Sequence, residues 1–285
     1  MNKLYIGTCS WKYDSWKGII YPEFGDINYL EEYSKHYNIV EVDQWFWSLF
    51  DIVRLPEKKT VEGYKASVPG DFKFIIKVPN SITLTHYYNK NKAEPLRKNP
   101  YFLSVDLFKE FLVILEPLKN QIVSLIFQFE YMNKEKMSSL SALQRYLHQF
   151  FTSLPADVPQ MSIEIRNPYY LNSSYFKFLK DLNLDNVFLH GYFMPPVAAV
   201  YNNYKEYIKD RTIIRLHGPD RSGIENLSGE NWNKVYINRD EELKHIVEMI
   251  KDMQNRGVDI YLNVNNHYEG CAPITIEKIQ KLLQL

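Results

Sequence analysis

Cysteine is scarce in this chain, with only Cys9 and Cys271 among 285 residues. Two cysteines are too few for a disulfide framework, and their separation does not match the spacing of a zinc-binding motif. The first residues, Met1 to Leu4, run into an apolar segment without the pattern of a signal peptide. We therefore expect a cytoplasmic protein that folds under reducing conditions.

An excess of either charge is also lacking, because Lys plus Arg and Asp plus Glu number 34 each. A neutral chain has no global field to attract nucleic acid, which disfavours a dedicated DNA-binding protein but leaves room for a local basic patch. No apolar run approaches the roughly 18 residues of a membrane helix. We expect no membrane partner, whereas nucleic acid stays open as a partner.

Two nucleotide-binding motifs are absent. No Gly-x-Gly-x-x-Gly sequence follows the first apolar segment, and no Walker loop occurs in the chain. The composition is otherwise that of an ordinary globular protein, with 45% hydrophobic residues. A chain of this length suits two small domains or one large α/β barrel.

Short apolar segments alternate with amphipathic ones along the whole chain. This alternation predicts an α/β fold consisting of a single (β/α)₈ TIM-type barrel over residues 1–285, with a doubly wound open sheet as the alternative. The predicted strands cover residues 4–9, 38–43, 72–78, 122–129, 161–166, 186–190, 212–217 and 258–265. The predicted helices cover residues 29–37, 56–66, 105–119, 137–151, 172–182, 201–209, 240–256 and 274–283.

One long polar excursion, at about residues 79–101, interrupts this alternation and contains His86, Lys90, Lys92 and Arg97. A loop of this length in a compact fold usually serves a function or is mobile. A solvated insertion without a function is the alternative.

Four of the predicted strands end in two polar residues separated by one position. Residues i and i+2 of a strand point to the same face, and a barrel places its active site at the carboxyl ends of its strands. We therefore expect these side chains to meet in one pocket. The pairs are Glu41 with Asp43, Glu164 with Arg166, Arg215 with His217, and Asn263 with Asn265.

Several sequence blocks resemble one known family. Ile6-Gly7-Thr8-Cys9-Ser10-Trp11-x-Tyr13-x-x-Trp16-x-Gly18 followed by Tyr21-Pro22 resembles the opening signature of the YecE-like family, domain of unknown function 72. The resemblance implies a TIM barrel and a pocket, but no particular reaction. The further matching blocks are Val40 to Asp43, Phe72-x-Phe74-x-x-Lys77, Ile82-Thr83 with Thr85-His86, Phe127-Gln128, Ile163 to Arg166, Arg215 to Gly218, and Asn265-Asn266-His267.

The chain departs from the family pattern at two places beside the expected pocket. The family usually has Asn where Asp43 stands, followed by a small residue and Phe-Tyr, whereas Gln44-Trp45-Phe46-Trp47 follows here. After Gln128 the family tends to have Leu-Pro-Pro, whereas Phe129-Glu130-Tyr131 follows here. We expect this member to differ from the bulk of the family in its ligand.

The acids and histidines near the strand ends allow a divalent metal site or internal ion pairs. We favour ion pairs, with Glu41 bound to Lys77 or Arg215 and Glu164 bound to Arg166, because short metal motifs such as His-x-His are absent. The metal and any other cofactor therefore stay unknown. The residues considered for a metal are Glu41, Asp43, Glu164, His190, His217 and His267.

Lys77, Arg166 and Arg215, with Arg221 as a further candidate, predict a site for a small anionic or polar ligand. Five aromatic residues of two loops are candidates to stack on a base or sugar ring, or else to pack over the barrel mouth. They are Trp11, Tyr13, Trp16, Trp45 and Trp47. Cys9 is a weaker candidate, for a nucleophile.

Two functions stay open at this point. The first is an enzyme that acts on a phosphorylated, nucleotide-like or sugar ligand, as a phosphoester hydrolase or an isomerase, with Glu41, Glu164 and His217 as catalytic residues. The second is a binding protein for nucleic acid or an anionic metabolite. The expected ligand-binding residues are Trp11, Asp43, Lys77, His86, Gln128, Arg166, Arg215, Asn265 and Asn266.

Overall fold

Eight parallel strands form a closed barrel in the order β1 to β8, in a computed structural model that describes residues 3–88 and 94–285. Each strand pairs with its sequence neighbours, and β8 closes the ring against β1. The (β/α)₈ barrel predicted from the sequence is confirmed. The strands are β1 (Leu4–Cys9), β2 (Ile39–Val42), β3 (Lys73–Lys77), β4 (Ile122–Gln128), β5 (Met161–Glu164), β6 (Asp185–Gly191), β7 (Arg211–Gly218) and β8 (Asp259–Val264).

Helices surround the barrel and cover the outer faces of the strands. Several of them begin at an Asn, Ser or Asp whose side chain accepts a backbone N–H of the first turn, as at Ser139 and Asn172. The helices are α1 (Tyr29–Ser34), α2 (Lys58–Ala66), α3 (Asn80–Thr83), α4 (Val105–Leu115), α5 (Leu140–Thr152), α6 (Ser173–Asp181), α7 (Val197–Tyr204), α8 (Arg221–Ser228), α9 (Asp240–Asn255) and α10 (Ala272–Leu283).

The sequence predicts loops over residues 191–200 and 218–238, but each contains helical residues in the structure, so those two predictions were wrong. Helix α7 begins directly after Pro196, because Val197, Val200 and Tyr201 pack into the core at helical spacing. Helix α8 lies inside the predicted loop 218–238. Its end is fixed by Gly229, which has a φ of 57° and can adopt the left-handed conformation without cost.

The barrel interior changes character along its axis. Toward the amino ends of the strands it is filled by a small apolar cluster. Two residues further along most of these strands the inward side chain is polar, because the inward face repeats with period two. Thus Ile39 precedes Glu41, and Ile213 precedes Arg215. The apolar cluster consists of Ile39, Ile75, Ile126, Val187, Ile213 and Tyr261.

The described residues of the predicted excursion at 79–101 are more ordered than a solvated insertion. The excursion opens with helix α3, whose four residues are all buried. Further along, Tyr87 N–H donates to the Arg97 carbonyl and Asn99 N–H donates to the Thr85 carbonyl, at 2.9 and 3.0 Å. Lys90 and Lys92 of the predicted excursion lie outside the described residues.

Within residues 3–88 and 94–285, the structure has no helix that is both long enough and apolar enough to cross a membrane.

Candidate functional site

A cleft of about 1650 Å³ opens at the carboxyl ends of the strands. Its floor is formed by side chains that follow or end β2, β3, β4, β7 and β8, and its walls come from the loops beyond them. Of the predicted site residues, the cleft is lined by Asp43, Lys77, His86, Gln128, Arg166, Arg215, His217 and Asn265.

Arg215 holds the cleft floor together through two buried carboxylates. Its Nε and Nη2 donate to Oε2 and Oε1 of Glu41, at 2.7 and 2.6 Å. Its Nη1 donates to Glu164 Oε2. Arg215 and both glutamates are almost completely excluded from solvent. A buried charge is stable only when it is paired and hydrogen-bonded, and here each of the three charges meets that condition.

Arg166 extends this network toward the solvent. Its Nε and Nη2 donate to Glu164 Oε1, at 3.0 and 2.9 Å, and its guanidinium lies 4.3 Å from the centre of the Tyr192 ring. The pairing between Glu164 and Arg166, two residues apart, was predicted from the sequence. Glu41 pairs with Arg215, which was one of the two partners that we considered for it.

The network fixes the ionisation of Glu164. Burial alone would raise the pKa of its carboxyl, but the charges of Arg215, Arg166 and Lys77 outweigh burial and lower the pKa to about 2. Glu164 is therefore a permanent carboxylate at neutral pH. A carboxylate with so low a pKa and both oxygens occupied is poorly suited to accept or deliver a proton.

Lys77, by contrast, is buried without such a partner. It lies at the end of β3, lines the cleft and places its Nζ 3.9 Å from the centre of the Phe46 ring. Among the described residues, no carboxylate oxygen lies within 4.0 Å of this ammonium. Burial and the nearby charge of Arg215 lower its pKa to about 8. Lys77 can therefore exchange a proton near neutral pH.

His217 lines the cleft and meets Cys9 and Glu41, which are buried behind it. Cys9 Sγ lies 3.6 Å from His217 Nε2 and 3.6 Å from Glu41 Oε2. The other ring nitrogen of His217, Nδ1, lies 3.1 Å from the Tyr192 hydroxyl. Burial and the charge of Arg215 keep the pKa of His217 well below its ordinary value, so the ring is neutral.

Asp43 directly follows β2 and lines the cleft. Burial and the neighbouring charge of Glu41 raise the pKa of its carboxyl. Burial thus shifts the pKa values of these two neighbouring groups in opposite directions, that of Asp43 upward and that of Lys77 downward.

Three further predicted residues line the cleft through polar contacts of their own. Gln128 Oε1 accepts a long hydrogen bond of 3.4 Å from Arg215. His86 Nδ1 lies 2.9 Å from the Thr85 hydroxyl, and burial and the charge of Lys136 lower its pKa. Asn265 Oδ1 accepts the His267 N–H at 2.9 Å.

Two predicted ligand-binding residues serve the fold. Trp11 is buried and its ring meets Tyr64 edge to face. Asn266 is buried, and its Oδ1 accepts the Ala272 N–H at 2.9 Å, where helix α10 begins. The first N–H groups of a helix have no acceptor within the helix, and Asn266 Oδ1 accepts one of them.

The aromatic residues predicted to form a stacking wall divide into two groups. Tyr13 and Trp47 line the cleft, whereas Trp16 and Trp45 are packed in the core together with Trp11. The sequence analysis missed several aromatic residues of later loops that lie at the cleft mouth. Neither the length nor the turn residues of these loops indicate where their side chains lie relative to the cleft. The missed residues are Tyr88, Tyr131, Tyr169, Tyr192 and Phe193.

The backbone is strained where two of these aromatic residues stand. Tyr192 and Phe193 have φ values of 53° and 65°, in a region that residues other than glycine rarely adopt. Such strain persists only where the surroundings impose it, and it is concentrated at functional sites. Here it directs Tyr192 onto His217 and Arg166 while Phe193 is left 95% exposed.

The residues that we considered for a metal do not meet as one group. Glu41 and Glu164 are joined by Arg215, while His190 bonds Glu242 and His267 bonds Glu225. Within the described chain, the group whose ligand atoms all lie within 4.8 Å of one another is Cys9, Glu41 and His217.

Comparison with known proteins places the chain in a family. Residues 5–285 match the family described as "Protein of unknown function DUF72". The chain belongs to the DUF72 family. A curated relative, the UPF0759 protein YunF of Bacillus subtilis strain 168, is 23% identical over 292 residues, covering 99% of this chain and 95% of YunF.

Solved structures of DUF72 proteins share the fold. A DUF72 protein from Thermotoga maritima MSB8 is 22% identical with a TM-score of 0.68, and the match covers 99% of this chain and 100% of the other. A DUF72 protein from Enterococcus faecalis V583 is 20% identical with a TM-score of 0.67, covering 99% and 96% of the two chains. At these identities the likeness shows the barrel fold alone.

Both departures from the family pattern border the cleft. Phe46 and Trp47 of the first departure line it, as do Glu130 and Tyr131 of the second. The contact of Phe46 with the Lys77 ammonium means that the first departure also shapes the environment of this lysine.

Proposed function

We propose that this DUF72 protein binds a small anionic ligand with a sugar or base ring in the cleft, and transfers a proton on it through Lys77. The observation that carries the proposal is a buried lysine, open to the cleft, that has no ion-pair partner within the described residues. A ligand carboxylate or phosphate would supply the missing negative charge.

The cost of this lysine supports a functional role. Burying an ammonium without a carboxylate partner destabilises a fold, as the lowered pKa of about 8 expresses. Such a group is expected where function requires it, since active sites gather groups with perturbed pKa values. A pKa near the working pH also suits a general acid or base.

The walls of the cleft support a ligand with a ring. Four aromatic side chains at its mouth, those of Tyr88, Tyr131, Tyr169 and Phe193, are exposed, from 59% for Tyr131 to 95% for Phe193. Exposed aromatic faces stack on bases and on the apolar faces of sugars. Arg166 stands between this aromatic mouth and the charged floor, where it would bind the anionic group of a ligand that is stacked above it.

The proposal assigns new roles to the residues first considered catalytic. Glu41 and Glu164 are carboxylates that hold Arg215 in place, and His217 is a neutral hydrogen-bonding group on the floor. Lys77 is the residue that transfers the proton. Asp43 lies beside it, and its pKa is shifted in the opposite direction.

Matched pairs of compounds test the binding part of the proposal. Thermal unfolding is measured with ribose 5-phosphate against ribose, adenosine monophosphate against adenosine, and glucuronate against glucose. We expect the charged member of at least one pair to raise the melting temperature of the wild type, and the neutral member to leave it unchanged. Equal shifts for charged and neutral members, or no shift for any, would argue against an anion site.

Two variants of the same strand locate the site. Lys77→Met should lose the shift caused by the charged ligand, whereas Lys73→Met, at the other end of β3, should keep it. Exchange of ligand hydrogens with D₂O, followed by proton NMR, then tests proton transfer. We expect exchange in the wild type and a rate at least about 100-fold lower in Lys77→Met.

A further inference from the structure

Three side chains, one that lines the cleft and two that are buried behind it, have an arrangement that proton transfer by Lys77 does not require. They are Cys9 at the end of β1, Glu41 near the end of β2 and His217 near the end of β7. A thiol, a carboxylate and an imidazole are three of the groups that bind zinc in proteins. They come from separate strands of the barrel, which hold them in position from three sides.

Two of the three distances among these groups match those around a tetrahedral zinc ion. The Cys9 sulfur lies 3.6 Å from Glu41 Oε2 and 3.6 Å from His217 Nε2. Zinc bonds of about 2.3 Å to sulfur and about 2.0–2.2 Å to nitrogen or oxygen, at tetrahedral angles, place sulfur about 3.6 Å from either atom. The three ligand atoms also lie within 4.8 Å of one another, so one ion can reach all of them.

His217 and Glu41 are each oriented by a hydrogen-bonding partner that is not itself a proposed ligand, as metal ligands usually are. The Tyr192 hydroxyl lies 3.1 Å from His217 Nδ1, which leaves Nε2 to face Cys9. Arg215 Nε donates to Glu41 Oε2 at 2.7 Å. A carboxylate oxygen has a second lone pair, so this bond leaves Oε2 able to bind a cation.

We propose that Cys9, Glu41 and His217 bind one zinc ion, whose fourth coordination position faces the cleft. Of the three ligands, His217 lines the cleft, so the ion would enter past His217 and its open position would be on that side. On binding, the Cys9 thiol loses its proton to solvent and the thiolate bonds the metal. Three protein ligands with one open position form the usual arrangement of a catalytic zinc site.

This site stands apart from the proposed anion site in its residues, so either proposal can fail alone. Purified protein is stripped with a chelator, dialysed against Zn²⁺ and analysed by elemental mass spectrometry. We expect about one equivalent of zinc per chain in the wild type and in Lys77→Met. We expect Cys9→Ser and His217→Gln to bind zinc at least about 100-fold more weakly in competition with a chromophoric chelator.

Cobalt gives a second readout that identifies the sulfur ligand. Co²⁺ bound to a thiolate has a charge-transfer band in the near ultraviolet. The chain has two cysteines, so Cys271→Ser is the matched control for Cys9→Ser. We expect the band in the wild type and in Cys271→Ser, and its loss in Cys9→Ser.

Three results would overturn the proposal. They are wild-type protein that takes up neither ion, a cobalt spectrum without the thiolate band, and a band that depends on Cys271. The wild-type and Cys271→Ser spectra decide the matter even if Cys9→Ser fails to fold, because a band that survives in Cys271→Ser can only come from Cys9.

Discussion

At the scale of single residues, the cleft floor contains two kinds of buried charge with opposite effects on stability. Glu164 is stabilised as a carboxylate by Arg215 and Arg166, whereas Lys77 is destabilised as an ammonium by burial. The first kind contributes to folding and the second opposes it. This contrast separates the residues that support the site from the one that we expect to act in it.

Glu164→Gln should lower stability, because it leaves Arg215 buried with one carboxylate fewer. The folded pKa of about 2 lies below the ordinary glutamate value of 4.5, so the carboxylate's stabilisation is complete above about pH 4.5 and is lost as the pH falls toward 2. We expect the variant to lose roughly 3–5 kcal/mol near pH 7, measured by urea unfolding.

The same measurement at pH 3 should show a smaller difference between Glu164→Gln and the wild type. Glu248→Gln, an exposed position on helix α9, is the control and should change stability little at either pH. A loss in Glu164→Gln that is the same at pH 3 and pH 7 would contradict the low pKa of this carboxyl.

Lys77→Met should raise stability, because it removes a buried ammonium that lacks a partner. The folded pKa of about 8 lies below the ordinary lysine value of 10.5, so the destabilisation is complete below pH 8 and disappears as the pH rises toward 10.5. We expect a gain of about 1–3 kcal/mol at pH 7 and a smaller gain at pH 10. A variant that is less stable than the wild type at pH 7 would contradict this account of Lys77.

At the scale of secondary-structure elements, β1 and β2 approach so closely that Gly7 cannot carry a side chain. A Cβ atom at this position would lie 2.2 Å from the carbonyl oxygen of Ile39, which belongs to the backbone of β2 and cannot turn away. This approach brings Cys9 beside Glu41, its partner in the pairing of the two strands. The packing of two strands thus positions one side of the cleft floor.

Gly7→Ala should therefore destabilise the protein by about 3 kcal/mol or more, because the two strands must separate to admit one methyl group. Gly63→Ala in helix α2 is the matched control, since its Cβ would meet no atom within 4 Å. In the control we expect a gain of roughly 0.5–1 kcal/mol from the better helix propensity of alanine. Chemical unfolding of both variants measures the difference, and similar stabilities would contradict the close approach.

The elements were predicted from the sequence to different degrees. The strands followed from short apolar runs with polar ends, and Glu41, Glu164, Arg166 and Arg215 meet as the period of two requires. Helix α8 was missed although Asp220 and Gly229 provide its capping signals, because Ile224 and Leu227 alone give too weak an apolar periodicity.

Several loop residues of the site could not be predicted from the sequence. Nothing in the sequence around Tyr192 and Phe193 indicates that two consecutive residues adopt positive φ and direct one ring onto His217. Trp11 and Trp47 belong to similar aromatic loops, yet one packs in the core and the other lines the cleft. Tertiary packing decides whether such a ring is buried or lines the cleft, and this packing cannot be predicted from a single sequence by local patterns.

At the scale of the whole molecule, the balance of 34 positive and 34 negative residues argues against nucleic acid as an extended partner. Affinity for a duplex comes mainly from neutralised phosphates and counterion release, which needs a basic surface. We expect fluorescence anisotropy to show no complex with a 20-base-pair duplex at micromolar protein and about 150 mM salt. Tight binding whose affinity falls steeply with added salt would instead favour the nucleic-acid function.

The position of Lys77 in the barrel explains why we expect a chemical reagent to modify this lysine before the others. Strand β3 places Lys77 on the enclosed floor of a cleft with charged neighbours, whereas a lysine such as Lys65, near the end of helix α2, is exposed to water. An amine with a lowered pKa reacts fastest with aldehydes near neutral pH, because more of it is unprotonated. A reagent that combines an aldehyde with a phosphate should also be bound by the anion site.

The most direct test is therefore competitive labelling with pyridoxal 5′-phosphate, followed by borohydride reduction and peptide mass spectrometry. We expect Lys77 to be modified first, to react more slowly with pyridoxal, which lacks the phosphate, and to be protected by added inorganic phosphate. Labelling that is spread over surface lysines while Lys77 stays unmodified would contradict the anion-binding lysine on which the proposed function depends.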